Sequence, residues 1–479
     1  MIQLITNVPG FTNDIAEEIR LFLGMVEISS DAVEDPEFSC EILFQNNAAV
    51  CTLTPFQVNS SVKVQEYSDA LDKKRQEKRA VKLAVYRAMQ QVFTVETPWG
   101  SLTGIRPTKL FRDIAARSSE EEASLQFSEI FSVRPDKLSL VEAIHRVQKP
   151  IISSVTGKIA DIYFGVPYCK TRCLYCSFGS EVSKSRNQLK EYLFHFKSEI
   201  AASAAILKKY GFTVRSAYFG GGTPTVFCEE DLHELLSFIE EQYSGLKNKE
   251  FTVEAGRPDT ITPEKLKILR AHGVTRISIN PQTMNEKTLH LIGRSHSAES
   301  VYTCFQNARE AGFENINMDT IAGLPGETLS DFRYTLDEIM KLGPESLTVH
   351  TLAIKKSSRL KDKLAEYPLP RPETTEKMVA AGAEAARSLK MQPYYMYRQK
   401  YMNGNLENVG YCLPGFECIY NIDMMEETVT VMAHGANTIT KRVFGGENRV
   451  ERIANPKNVP TYFEKLPLIL ENKDRFFGN

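Results

Sequence analysis

The chain has 479 residues, 42% hydrophobic and 25% charged, an ordinary globular composition long enough for more than one domain. Its 58 Lys and Arg nearly balance 60 Asp and Glu, and the net charge of -2 gives no electrostatic reason to expect nucleic acid or an anionic membrane as partner; a small anionic substrate stays open. Met1 to Gly10 lacks the charged-then-apolar order of a signal peptide, and no apolar run is long enough for a membrane span, so a cytoplasmic protein is expected; its nine irregularly spaced cysteines then point to metal binding or catalysis rather than to disulfides.

Residues 1–155 mix short strand-like stretches, Glu41 to Phe44 and Ala49 to Leu53, with a helical stretch from Asp69 to Val92. The basic run "DKKRQEKRAVK" in that helix reads as the solvated face of an amphipathic element carrying Val81, Leu83 and Tyr86. The following "PWGSLTGIRPTKL", with Trp99 and Arg106, reads as a turn because of its glycines and prolines. This N-terminal α+β domain is of unknown role, and a supporting one is expected.

From Lys158 the texture becomes alternating. The strand candidates "ADIYFGVP", "SAYFGGG", "EFTVEAG", "RISINPQ", "NINMDTIAG" and "SLTVHTLA" are separated by helical patterns at Asn187 to Lys209, Glu229 to Gln242 and Ser297 to Ala311. Such alternation implies parallel strands joined by right-handed crossovers, and six units suggest an α/β fold with an open partial (β/α)6 barrel over residues 156–364. Each strand reads as apolar along its length and ends with chemically capable residues: Gly220 to Thr223, Glu254, Gln282, Asp319, and His350 to Ala353. Barrel enzymes build their sites at the C-terminal ends of strands, so these residues should converge on one mouth. The segment 365–479, with a helix from Glu373 to Leu389 and the run "YYMYRQKYMNGNLENVGYCLPGFECIYN", reads as a C-terminal α+β segment covering that mouth.

The first barrel strand leads into "GVPYCKTRCLYCSFGS", which gathers Cys169, Cys173 and Cys176 within eight residues. Structural zinc normally takes four protein ligands, with thiols in two separated pairs, and no second pair is present. A redox-active C-x-x-C pair would leave Cys169 unexplained. Three thiolates can instead hold three irons of a 4Fe-4S cluster and leave the fourth iron open to another ligand. Cys40, Cys51, Cys228 and Cys304 read as small core or surface residues, and packing is also the expected role of Cys412 and Cys418.

Cys-x3-Cys-x2-Cys after a first barrel strand, with Tyr175 before the third cysteine, resembles the signature of the radical S-adenosylmethionine (SAM) enzymes. Together with "YFGGGTPT", "VEAGRPDTI", "ISINPQTM", "GRSH" and "NMDTIAGLPGET", it is similar to the oxygen-independent coproporphyrinogen III oxidases, and "YYMYRQK…NVGYC" looks most like their HemZ-type branch. The resemblance implies a 4Fe-4S cluster on Cys169, Cys173 and Cys176, whose open iron chelates S-adenosyl-L-methionine. By matching position it implies that Gly221, Gly222 and Thr223 receive the methionyl amino group, and that Glu254 and Asp319 take hydroxyl or amino groups. Gln282 and Arg294 would then reach ribose and carboxylate, while Tyr163 and Ala353 border the cluster and adenine.

The activity so implied is oxidative decarboxylation of two coproporphyrinogen III propionates to vinyl groups, in haem biosynthesis, with an electron donor such as flavodoxin or ferredoxin. A tetra-acid substrate calls for cations, and Arg257 and Arg398 are the candidates, since a guanidinium matches a carboxylate. Two departures bear on this. The best-known members carry a fourth cysteine where this chain has Phe178, and the family's haem chaperones carry His-Asn followed by Tyr-Trp where this chain reads "CIYNIDMM". Haem binding as a chaperone and radical methylation of a tetrapyrrole are the alternatives.

Overall fold

The computed structural model describes every residue except Met25, Ser68, Lys356, Tyr401, 446–448 and Asn479, and of Lys247 only the backbone. Tyr401, within the Tyr/Asn/Gly-rich run quoted above, therefore lies outside the described residues. The chain divides into two compact units, Met1–Glu142 and Ala143–Asn479.

The first unit is built on a five-stranded sheet of β1 (Ile2–Thr6), β2 (Ile28–Ser29), β3 (Ser39–Gln45), β4 (Ala48–Thr54) and β5 (Val58–Lys63), in the order β2-β1-β3-β4-β5. Alternate strand residues turn inward, so Cys40 and Ile42 of β3 and Cys51 and Leu53 of β4 share a core with Val81, Val85 and Met89 of the helix Ala70–Val92. The stretch read as a turn ends in structure: Pro107 starts a helix running to Arg117, as its fixed φ and missing N–H suit a first helical position. Trp99, before it, is wholly buried.

The second unit begins inside the helix Pro135–Ser153 rather than at residue 155. Val147, Ile151 and Ile152 of that helix pack on Tyr394, Tyr395 and Tyr420, and the Gln148 amide donates to the Tyr394 carbonyl at 3.0 Å, which ties its last turns to the larger unit.

All six strand candidates are strands. After β6 (Ile159–Val166) come two short strands, β7 (Tyr168–Cys169) and β8 (Glu181–Val182), and then β9 (Thr213–Gly221), β10 (Glu250–Gly256), β11 (Arg276–Ile279), β12 (Ile316–Ala322) and β13 (Ser346–Thr351). Strands β6 and β9 to β13 lie parallel and side by side in chain order, with helices such as Arg186–Lys209, Glu229–Gln242 and Ala298–Glu310 as crossovers.

The sheet extends further than six strands. The C-terminal segment adds β14 (Gln392–Tyr397), β15 (Asn408–Cys412), β16 (Thr430–His434), β17 (Ile439–Phe444) and β18 (Arg449–Ala454). Strands β15 and β14 continue the edge beyond β13 antiparallel, whereas β16 lies parallel to β6 and carries β17 and β18 beyond it. The result is an open eleven-stranded sheet, a partial barrel whose edges are both built by residues 365–479. That segment thus shares the barrel's own sheet, and its helix Ile419–Glu426 brings Asn421 and Met425 to the cavity described below.

One expectation about the strands needs correcting: they are not apolar along their length. Because alternate residues face opposite sides, each carries a polar inward row, such as Tyr163 on β6, Tyr218 on β9, Glu254 on β10, Asn317 and Asp319 on β12, and Thr348 and His350 on β13. Among the described residues no helix is long and apolar enough to cross a membrane.

Candidate active site

A cavity of about 430 Å³ opens inside the curl of the sheet, within the size range of cofactor and substrate pockets. The cysteine loop forms one wall, where Cys169, Cys173 and Cys176 all face the cavity. The loop is closed at its base by the pairing of β7 with β8, Tyr168 opposite Glu181 and Cys169 opposite Val182. At its middle Leu174 sits in an apolar cluster with Ile292, Leu352 and Leu360, and its N–H and C=O bond to Ile292 and Leu360 at 2.9 and 3.0 Å. A buried leucine between two thiols thereby fixes the loop without using either sulfur. Burial pushes the Cys176 thiol up from its ordinary range.

The glycine turn after β9 meets this loop. The Gly222 N–H donates to the Val166 carbonyl at 2.6 Å, the Thr223 N–H to the Tyr168 carbonyl at 2.8 Å, and the Thr223 hydroxyl lies 3.5 Å from the Cys169 sulfur. A Cβ at Gly222 would stand 2.3 Å from the Tyr168 oxygen and 3.0 Å from the Cys169 sulfur, and Gly221 has φ +103°, so neither position accepts a side chain.

Opposite lies a polar floor. Glu254 accepts from the Tyr218 hydroxyl and, at 2.9 Å, from the Asn280 amide. Asp319 accepts from the Asn317 amide at 2.7 Å and faces the His350 imidazole at 3.4 Å. Burial and the neighbouring Asp319 charge raise Glu254 above the usual carboxylate range. Burial would raise Asp319 too, but His350 together with hydrogen bonds from Asn317 and Thr348 more than offsets it and holds Asp319 below that range; reciprocally, burial lowers His350 but Asp319 raises it. Gln282 holds a left-handed backbone, φ +67°, while its N–H bonds to the Asp319 carbonyl at 3.0 Å, a strained conformation of the kind that clusters at functional sites.

Of the residues singled out in the sequence, Tyr163, Tyr175, Gly221, Gly222, Thr223, Glu254, Gln282, Arg294, Asp319 and Ala353 line this cavity together with the three cysteines and Arg257. Arg257, however, is already paired: its guanidinium meets Asp259 at 3.0 Å and donates to the Thr171 carbonyl at 3.2 Å. Arg398 does not line the cavity. It is 3% exposed and donates to the side-chain and main-chain oxygens of Asn405 at 2.7 and 3.1 Å, so its charge is spent on holding its own segment. Cys412 and Cys418 are packed in a tyrosine-rich apolar cluster.

Sequence reasoning passed over Tyr218, Arg276, Asn280, Asn317 and Tyr397, and gave His350 no role. The signal was there in the steps Arg276, Ser278, Asn280 and Asn317, Asp319, two-residue spacings that put polar groups on one face.

The residues fit the implied cofactors. Among the described residues no three His, Cys, Asp or Glu side chains are gathered for a single metal ion. The thiols instead line a cavity wall, as a multi-iron cluster requires. Gln282 Oε1, Asn280 Oδ1 and Arg294 Nε are buried there without partners, offering acceptors and a donor to the amino, hydroxyl and carboxylate groups of a polar ligand.

Comparison with known proteins accords with this site. The radical SAM superfamily model matches residues 163–339. The oxygen-independent coproporphyrinogen-III oxidase-like protein HemZ of Bacillus subtilis (strain 168) is 38% identical over 399 residues, 82% of this chain and 79% of that protein. The heme chaperone HemW of the same organism is 37% identical over 194 residues, 40% of this chain and 50% of that one, so the chain spans about half its length. The solved coproporphyrinogen III oxidase (HemN) of Escherichia coli, a radical SAM enzyme, shares the fold, with a TM-score of 0.54 at 21% identity over 68% of this chain and 73% of that one. The chain therefore belongs to the radical SAM superfamily, in the family of the coproporphyrinogen-III oxidase-like protein HemZ, with the 4Fe-4S cluster and S-adenosyl-L-methionine as its cofactors.

Proposed function

We propose that the protein converts two propionates of coproporphyrinogen III to vinyl groups by oxidative decarboxylation, giving protoporphyrinogen IX. The observation that carries the reading is that one cavity unites the three-thiol loop, the polar strand ends and a rim of cations. Cys169, Cys173 and Cys176 would hold the cluster, and Gly221 to Thr223, Glu254, Gln282, Arg294 and Asp319 would hold S-adenosylmethionine. When bound, these cofactors supply a carbon-centred radical able to take hydrogen from an unactivated carbon. For each vinyl formed, the substrate loses one hydrogen atom from the propionate β-carbon, one carbon dioxide and one electron, the last to a one-electron acceptor. A flavodoxin or ferredoxin would reduce the cluster. The chain's residues orient the tetrapyrrole, neutralise its carboxylates and keep the radical carbon away from water.

The match to a heme chaperone supports a second reading, haem binding without turnover. Against it stands the state of His350, the one histidine lining the cavity among the described residues: its Nε2 faces Asp319 at 3.4 Å and its Nδ1 faces the Tyr397 hydroxyl at 3.3 Å, leaving no nitrogen for an iron.

An anaerobic assay separates the two. With reconstituted cluster, reductant, S-adenosylmethionine and coproporphyrinogen III, the decarboxylase forms 5'-deoxyadenosine while the tetrapyrrole loses two carbon dioxide equivalents. Nucleoside with an unchanged tetrapyrrole would overturn the substrate assignment, a gain of methyl mass would indicate a methyltransferase, and stoichiometric haem retention without any product would establish the chaperone.

A further inference from the structure

A tetra-acid substrate needs cations not already engaged, and the two arginines suggested by the sequence are committed elsewhere. Lys355 differs. It lines the cavity two residues beyond Ala353, and among the described residues no carboxylate lies within ion-pair distance of its ammonium; its polar contact is the Lys400 carbonyl at 3.5 Å. Arg172, on the cysteine loop, lines the same cavity. Its Nη2 donates to the Ser357 carbonyl at 3.1 Å, and its Nε is buried without a partner.

These two cations are held on loops that are stitched together. Besides the Arg172 to Ser357 bond, the Ser357 hydroxyl donates to the Ser177 carbonyl at 3.2 Å, and the Arg359 guanidinium donates to the Arg172 carbonyl. Burial and the nearby Lys400 charge both press Lys355 toward its neutral form, so an incoming anion relieves an unfavourable placement. Phe178, 65% exposed on the same cavity rim, offers an apolar face to a macrocycle.

Resting on the decarboxylase reading, we infer that Lys355 and Arg172 form a carboxylate subsite that takes one propionate of the tetrapyrrole beside the cluster loop. The reacting end of the substrate then lies against the wall that carries the thiols, and carboxylate recognition falls to the loop after β13 rather than to Arg398.

The test compares ligands that differ only in charge. Binding of coproporphyrin III and of its uncharged tetramethyl ester is measured by fluorescence on anaerobically reconstituted protein, for wild type, Lys355→Met and Lys355→Arg, with iron content and circular dichroism as controls for folding. Lys355→Met should weaken the tetra-acid about tenfold and leave the ester unchanged, while Lys355→Arg should stay within about threefold of wild type. Equal loss for both ligands, or no loss, overturns the subsite. If the wild type binds haem but not coproporphyrin, the substrate assignment fails, and the same variants with haem and its dimethyl ester decide the subsite. If it binds neither, both fall.

Discussion

The imidazole Nε2 of His350 on β13 stands 3.4 Å from Oδ2 of Asp319 on β12, a partly buried pair on neighbouring parallel strands. Each member shifts the other toward its charged form, Asp319 downward and His350 upward. The sign for stability follows for each. Because the folded value of His350 is raised, its contribution is fully present below the ordinary value near 6.5 and is lost as pH rises through the folded value. Because that of Asp319 is depressed, its contribution is present above the ordinary value near 3.8 and is lost as pH falls through the folded value. His350→Gln should therefore cost about 1–3 kcal/mol between those limits, with the gap to wild type narrowing as pH rises above them. Urea unfolding of both proteins from pH 5 to pH 9 checks this, and a gap independent of pH would show that the pair is not ionic.

Gly222 tests the fit between the glycine turn and the cysteine loop. Its missing Cβ leaves room for the Tyr168 carbonyl and the Cys169 sulfur at once, and the nearest of these is backbone that cannot rotate aside. Gly222→Ala should displace the loop that presents Cys169, lowering iron content and reducing S-adenosylmethionine cleavage about a hundredfold, the scale expected when reacting groups move by an ångström. Gly10→Ala, with open space around its new methyl, is the control. Wild-type iron and nucleoside yield in the first variant would mean that the turn is not constrained by the loop.

Arg398 gives a contrasting case. Its guanidinium is spent on Asn405, and it lies outside the cavity lining, so Arg398→Ala should leave the substrate requirement unchanged. The cost should appear in stability instead, about 1–3 kcal/mol, as the partly buried Asn405 oxygens lose their donor. Steady-state kinetics and thermal unfolding on the same preparation distinguish these. A raised KM with an unchanged melting temperature would return Arg398 to substrate binding.

The outcomes for Arg398 and Gly222 illustrate what the sequence can carry. Thiol spacing, glycine turns and strand-end carboxylates are local patterns, and the barrel topology brings them together once the strands are ordered, so Cys169, Gly222 and Glu254 were legible as one mouth. The partner of a long side chain depends on how its own loop folds back: Asn405 lies only 7 residues beyond Arg398, yet nothing in the residue pattern says that it will claim the guanidinium. The two-residue polar steps are plain at Arg276, Ser278 and Asn280, but around Tyr218 and His350 they are obscured, because strands buried on both faces lose the clean polar alternation of a half-exposed strand. The parallel pairing of β16 with β6 joins Val431 to Asp161 across most of the unit, and no local signal sets such a contact.

That distant pairing is secured by a fully buried ion pair. Lys473, on the helix Leu466–Gly478, meets Glu199, on the helix Arg186–Lys209, at 2.8 Å, with both side chains fully buried. Glu199 also accepts from the Gly435 N–H just after β16, the Tyr462 hydroxyl and the Asn455 amide, at 2.6, 2.6 and 2.7 Å. Burial alone would raise this carboxyl, but the Lys473 charge together with the hydrogen bonds from Lys473 and Tyr462 more than offsets it and holds Glu199 below the usual range. Lys473→Met strands a carboxylate among donors arranged for an ion, and should destabilise the larger unit by about 3–5 kcal/mol. Replacing both partners removes the stranded charge, so Glu199→Met with Lys473→Met should cost less than the sum of the single changes. Denaturant unfolding of the two single variants and the double variant at pH 7 measures the coupling. Strict additivity would mean that the pair contributes no mutual stabilisation and that packing alone fastens the C-terminal helix to the sheet edge.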